Sequence, residues 1–304
     1  MNGIGNTPLL QLKHLTSSAD ADVYVKFEGA NLTGSMKDRM ALSMILGAEK
    51  RGDLKPGGRI VEYTGGSTGS SLAMVCAARG YKAHFVSSNG FSAEKIRTMR
   101  AFGATVEIIK AKNGTLTADV IDQMIVRTRE LSTKENTYWV DQVNNMDNKL
   151  GYHPMAHELL AALPAFDEFV MAAGGGGCFS GNAEVLKAQL PDLKAIAVEP
   201  YNVRNISGGN TSGTHKLEGI GLSFTPSILR KDLIDEVIAV KDEDAYRTAN
   251  LLASKEGIFG GATSGANVWA ALQRAKTLGK GKKIVTVICD SGLKYLNGDL
   301  YQPS

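Results

Sequence analysis

The sequence predicts an α/β protein whose parallel sheets are covered by helices on both faces. Three observations carry that expectation. Short runs rich in β-branched and aromatic residues alternate with longer runs of helical periodicity along most of the chain. Glycine-rich turns join strand to helix at residues 64–69 and 174–181, and strand–helix alternation is the pattern of a parallel sheet. The chain has 304 residues, long for one hydrophobic core, so one large or two modest domains are expected.

Bulk properties exclude several classes of function. The hydrophobic fraction is 43% and the net charge is +3, with both signs mixed along the chain. There is no basic block, so nucleic acid is not an expected partner. Cys76, Cys178 and Cys289 are odd in number and far apart. They match neither a zinc spacing nor a disulfide framework, which fits a reducing cytosol. No charged-then-apolar leader opens the sequence and no apolar run could cross a bilayer, so a cytoplasmic protein is expected. His153 and His157 are four apart, but nothing completes a metal set and Pro154 marks a helix start. The pair reads as structural, and no metal is expected.

The elements follow in order. Val23, Val25 and Phe27 alternate with polar residues as a strand does. After Asn31–Gly34, Met36, Met40, Met44 and Ile45 recur at helical spacing, with Ala41, Leu42, Leu46 and Ala48 making most of the circumference apolar. Such a helix is buried, with Ser35 as its expected N-cap and Gly52 as its C-cap. Lys37 falls in its first turn, where the helix dipole and burial both disfavour an ammonium. A neutral lysine amine is the nucleophile that forms Schiff bases with carbonyls. The rival reading is a surface lysine beside Asp38.

Arg59–Tyr63 reads as a strand, Thr64–Gly69 as a loop and Ser70–Arg79 as a helix ended by Gly80. Hydroxyls and amides at a helix start make an anion site; a tight turn with capping serines is the alternative. Strands are expected at 82–86, 105–109 and 138–140, with helices at 92–102 and 116–131. The loop Asp141–Asn145 then leaves a strand end, where open sheets place ligands. Gln142 lies in it, although a loop glutamine by itself is most often a surface residue. Strand 169–173 runs into Gly174–Gly177 and a helix expected over Asn182–Leu190. Four glycines leave amides unshielded and permit positive φ, which suits a phosphate dianion. A dinucleotide fold is the rival, with Glu199 as its acidic residue, but no Gly-x-Gly-x-x-Gly can be written through 174–181. Tyr201–His215 is polar and reads as a mobile loop. Strand Lys283–Ile288 ends in Cys289-Asp290-Ser291-Gly292, which taken alone is a capping pair after a strand.

These segments, in this order, resemble the cysteine synthase (O-acetylserine sulfhydrylase) family of fold-type II pyridoxal phosphate (PLP) enzymes. Ser35-Met36-Lys37-Asp38-Arg39 after Asn31-x-x-Gly34 is similar to the family's cofactor-lysine segment, with Leu32 and Met36 where Pro and Val are usual. Thr64–Gly69 resembles the substrate-carboxylate loop Thr-Ser-Gly-Asn-Thr-Gly, with Gly65 for Ser and Ser67 for Asn. Gly174–Cys178 aligns with the phosphate loop Gly-Thr-Gly-Gly-Thr, with Gly175 and Cys178 replacing both threonines. Gly5–Pro8, Val198–Pro200, Lys216–Gly221 and Glu256–Ala266 are also family-like.

The resemblance implies PLP as cofactor, attached to Lys37. It assigns cofactor contacts to Ser67, Gly174, Gly175, Gly176, Gly177, Cys178 and Ser291, with Asp290 competing for the pyridine nitrogen. It assigns substrate contacts to Thr64, Gly65, Gly66, Thr68 and Gln142. A neutral hydroxyl at the ring nitrogen suits β-elimination better than transamination. The implied reaction is β-replacement: Lys37 removes the α-proton of an O-activated serine, the leaving group departs, and sulfide or a thiol adds. A desulfhydrase or lyase, or synthesis of another β-substituted alanine, would use the same residues. An NAD-dependent dehydrogenase and a catalytically silent binding protein are more remote. The family further implies a homodimer, a smaller mobile domain of residues 1–12 and 35–145 that closes on substrate, and a larger PLP-binding domain of 13–34 and 146–304.

Overall fold

The computed structural model describes residues 1–222 and 224–302. Its strands, in chain order, are β1 (Leu9–Gln11), β2 (Asp22–Phe27), β3 (Arg59–Tyr63), β4 (Lys82–Ser88), β5 (Thr105–Ile109), β6 (Thr137–Trp139), β7 (Glu168–Ala172), β8 (Lys194–Pro200), β9 (Glu236–Val240) and β10 (Lys283–Ile288). Its α-helices are α1 (Lys37–Arg51), α2 (Ser67–Arg79), α3 (Ala93–Ala101), α4 (Ala118–Ser132), α5 (Met146–Leu150), α6 (His153–Ala162), α7 (Gly177–Gln189), α8 (Asp242–Leu251) and α9 (Ala262–Leu278). They form two compact units: Met1–Met36 with Tyr152–Ser304, and Lys37–Gly151.

The first unit holds a sheet of order β1-β2-β10-β7-β8-β9. Its pairs are parallel apart from β1, which runs antiparallel to β2. Every residue of β7 is buried, as expected of a strand covered on both faces. Val170 and Ala172 pack with Ala266, Ala270 and Ala271 of α9. Phe169 alternates onto the other face and meets Phe179 of α7, ring centroids 6.4 Å apart. Each such phenylalanine contributes about 1.5–3 kcal/mol by leaving water.

The second unit holds a parallel sheet of order β5-β4-β3-β6. Val61 and Val86 pack against Val120, Met124 and Leu131 of α4, while Ile60 and Phe85 alternate onto the opposite face and are fully buried there. The apolar helix expected after Met36 is α1, with Met40, Ala41, Met44, Ile45 and Ala48 buried.

Strand order places the crevices. In the first sheet the chain steps outward from β7 to β8 to β9, then adds β10 on the other side of β7. In the second it steps from β3 to β4 to β5, then adds β6 on the other side of β3. Loops leaving the carboxyl ends of two such strands diverge and open a ligand-sized gap.

The structure corrects several boundaries. Residues 1–12, expected in the smaller domain, belong to the larger unit because β1 pairs with β2 and the Leu12 amide donates to Val23 O at 2.9 Å. Ser35 and Met36 also stay with that unit: Ser35 forms a bridge to Asp290, and the Met36 amide donates to Cys289 O at 2.8 Å. Residues 146–151, expected in the larger domain, join the smaller unit, where Asp147 pairs with Arg51 at 2.7 Å. Helix α2 begins at Ser67 rather than Ser70, and α7 at Gly177 rather than Asn182. Glycine and serine are poor helix formers, so local propensity hid first turns that tertiary packing imposes.

Candidate functional site

In the larger unit, β7 delivers Gly174-Gly175-Gly176 to the start of α7. Gly176 sits at φ +83°, and a Cβ placed there would lie 2.8 Å from the Leu229 Cα. A Cβ on Gly174 would run into the Gly219 carbonyl oxygen, whereas one on Gly175 would meet nothing within 4 Å. The loop is thus closed on two sides and open at Gly175. Helix α7 has no side-chain cap and no acidic residue in its first turn, so its leading N–H groups are available to an anion. Gly177 and Cys178 supply that turn. Cys178 is buried, with its Sγ 3.7 Å from Asn182 Nδ2.

Next to β7, the end of β10 carries Cys289–Ser291. The turn before Lys37 is laced onto it: the Ser291 amide donates to Gly34 O at 2.9 Å, beside the Ser35–Asp290 bridge. Asn31 builds that turn from below. Its Nδ2 donates to Glu28 Oε2 at 2.8 Å and its Oδ1 accepts from the Gly5 amide at 2.8 Å. Gly34 has φ +70°. The Asn-x-x-Gly spacing therefore has a mechanical reason, and Lys37 is the next residue after this anchor. Asp290 accepts from the Tyr295 hydroxyl at 2.8 Å; burial first, then Asp290, push that phenol well above its usual pKa. The Ser291 hydroxyl accepts from the Leu293 amide at 3.3 Å, so the capping role is real. Ser264 was missed by the sequence reading. Fully buried in the first turn of α9, it accepts from the Cys289 amide at 3.0 Å and keeps its own O–H as a donor. Its only signal was the family-like turn at 256–266.

In the smaller unit, β3 runs into Thr64–Thr68. Gly66 occupies the N-cap position of α2 with no side-chain cap, and its amide donates weakly to Thr64 Oγ1 at 3.4 Å. Thr64 and Thr68 are buried, Ser67 half-buried. A Cβ on Gly65 would collide with the Phe91 ring, so Phe91 fills the space that a serine needs. Gln142, leaving β6, donates through Nε2 to Tyr63 O at 3.3 Å. The structure thereby brings this glutamine beside the hydroxyl loop. Lys37 is half-buried at the start of α1. Asp38 is fully buried and accepts from the Ser71 hydroxyl of α2 at 2.6 Å, which removes the reading of an exposed Lys37–Asp38 pair.

The family model described as "Pyridoxal-phosphate dependent enzyme" matches residues 1–290. The chain belongs to that family. A Staphylococcus aureus cysteine synthase is 39% identical over 98% of this chain and 95% of its own. Among solved structures, an O-ureido-L-serine synthase superposes with TM-score 0.93 at 33% identity, covering 99% of this chain and 93% of that one. A hydrogen sulfide-producing enzyme from Fusobacterium nucleatum superposes with TM-score 0.91 at 36% identity, covering 97% and 96%. This family member is a PLP-dependent enzyme working at the β-carbon of an amino acid.

Its residues fit that cofactor. The cradle at Gly174–Cys178 offers backbone amides at an uncapped helix start and an open face at Gly175 to a phosphate, the absent threonine hydroxyls notwithstanding. Ser264 and Ser291 carry neutral hydroxyls of the kind that can face a ring nitrogen, and Lys37 carries a primary amine. The dinucleotide alternative loses its acid: Glu199 accepts from the Ile206 amide at 2.8 Å and the Ser207 hydroxyl at 2.5 Å, and is spent on anchoring the 201–215 loop. His153 pairs with Glu184 at 3.3 Å. Among the described residues no cluster of His, Cys, Asp and Glu could hold a metal, and no helix is long and apolar enough to cross a membrane.

Proposed function

We propose that this enzyme carries out β-replacement on an O-activated L-serine such as O-acetylserine, with sulfide or a thiol as nucleophile. The observation that carries this reading is the hydroxyl-lined start of α2, free of acidic residues, with Gln142 brought beside it. Amides, hydroxyls and a carboxamide together suit a monoanionic carboxylate. Bound PLP would supply the electron sink that lets Cα lose its proton and Cβ lose its leaving group.

The chain's own residues do the rest. Lys37 Nζ would hold the cofactor and, as a free amine, would carry the α-proton. Thr64, Gly65, Gly66, Thr68 and Gln142 orient the carboxylate. Gly174–Cys178 hold the phosphate mainly through backbone amides. Ser291, or Ser264 with its buried donor, would face the ring nitrogen without a negative charge. Ser67 offers one short hydroxyl where an asparagine is usual, so it holds the ring oxygen less firmly and leaves a wider pocket. The synthase relative and the ureidoserine-forming neighbour support replacement. The hydrogen sulfide-producing neighbour favours a second reading, elimination from cysteine. The reading extends to a cytosolic homodimer on the family resemblance.

The purified protein should be yellow, and borohydride reduction with peptide mapping should place the pyridoxyl group on Lys37. O-acetylserine should then change the cofactor's absorbance, and sulfide should reverse the change with formation of cysteine. If O-acetylserine leaves the spectrum unaltered while cysteine alone yields sulfide, the elimination reading replaces it.

A further inference from the structure

We propose that Glu62 and Asn148 are positioning residues that clamp the two peptide groups of Gln142, so that its side chain is presented to the substrate carboxylate. The inference rests on the reading of Gln142 as a carboxylate contact.

The clamp is built from two elements. Glu62, next to last in β3, is fully buried. Its Oε2 accepts from the Gln142 amide at 3.0 Å and its Oε1 from the Tyr63 amide at 2.9 Å. Asn148, in α5 and 4% exposed, donates from Nδ2 to the Gln142 carbonyl at 2.7 Å. The Gln142 side chain is tied once, to Tyr63 O, which leaves it a second amide hydrogen and an acceptor oxygen.

Two features call for such a clamp. Asp141, just before Gln142, has φ +49°, a left-handed conformation that a non-glycine residue keeps only when its surroundings over-determine it. A buried glutamate is also costly. Two N–H groups converge on it from different chain segments, and a carboxyl group accepts from both through its two oxygens, whether ionised or protonated. A glutamine there would meet one of them with its oxygen and oppose the other with its NH₂. Nothing in the proton chemistry at Lys37 uses Glu62, so its place in the core is explained by what it holds.

The test uses the holoenzyme and the variants Glu62→Gln, Asn148→Ala and Gln142→Ala, singly and combined. Two quantities are read: the KM for O-acetylserine, and the dissociation constant of L-cysteine from the cofactor's absorbance. L-cysteine is a ligand under either direction of the chemistry. Loss of one positioning hydrogen bond should raise both by about tenfold, with kcat and the KM for sulfide nearly unchanged. In the Gln142→Ala background neither clamp variant should add anything, since both act through Gln142. A full effect persisting in that background overturns the inference. So does wild-type cysteine affinity in both clamp variants while Gln142→Ala weakens it. If Gln142→Ala itself changes neither quantity, the carboxylate assignment of Gln142 fails and the clamp falls with it. Should Glu62→Gln fold poorly, Asn148→Ala decides. Should O-acetylserine not be turned over, the cysteine titration still decides.

Discussion

The loop after β7 and the loop after β3 occupy equivalent places. Each leaves a parallel strand where the strand order reverses, and each enters a helix that has no side-chain cap. They differ in lining and in freedom. The first is glycine, locked by the Gly219 carbonyl, by Leu229 and by a positive φ at Gly176. The second carries Thr64, Ser67 and Thr68, and its Gly66 has open space around it. Fixed amides suit a dianion that stays bound through many turnovers, because no side-chain entropy is lost in holding it. Rotatable hydroxyls suit a carboxylate that must enter and leave.

Breaking the locked loop should give the largest effect. Gly176→Val adds a β-branched side chain at positive φ and against Leu229, each costing about 1–3 kcal/mol. PLP affinity, measured by titrating apoenzyme, should fall by about a hundredfold. Cys178→Ala should change it less than about threefold, because the Cys178 amide remains. Small, equal effects from both would remove this loop from the phosphate site.

The open loop should respond more mildly and in a different parameter. Gly65→Ser restores the residue usual in the family but collides with Phe91, so the O-acetylserine KM should rise by about tenfold while PLP affinity holds. Adding Phe91→Ala should recover most of the loss. If Gly65→Ser alone improves KM, then Phe91 yields easily and does not account for the glycine.

A further expected difference is a pH dependence of stability in the unit with the hydroxyl loop. Burial, reinforced by the charge of Asp141, raises the Glu62 carboxyl from 4.5 to about 8 against the opposing hydrogen bonds from Gln142 and Tyr63. The folded state therefore holds this proton more tightly than the unfolded chain. Its stabilising contribution is complete below pH 4.5 and lost as pH rises through about 8. Thermal melting of the wild type should fall across that window relative to Glu62→Gln. Parallel pH profiles would show that Glu62 titrates normally.

Much of this protein was legible from local patterns. Alternation marked β2, short runs of β-branched and apolar residues marked β3, β7 and β10, the apolar spacing marked α1, and glycines at 52 and 80 marked helix ends, because each depends on residues a few positions apart. Lys37 and both loops were visible for the same reason: a strand, a turn and a helix start are consecutive in the chain. Other features were settled only by tertiary structure. β1 joined the larger unit because its partner β2 lies beyond a turn that no periodicity encodes. Helices α2 and α7 began early because packing overrode weak propensity. Ser264 reached the end of β10, and Phe91 the space over Gly65, through contacts between separate elements. Glu62 met Gln142 across 80 positions of sequence. Sequence spacing fixes what neighbours along the chain can do together, whereas strand order decides which distant strand ends share a crevice, and the proposed substrate site depends on the second.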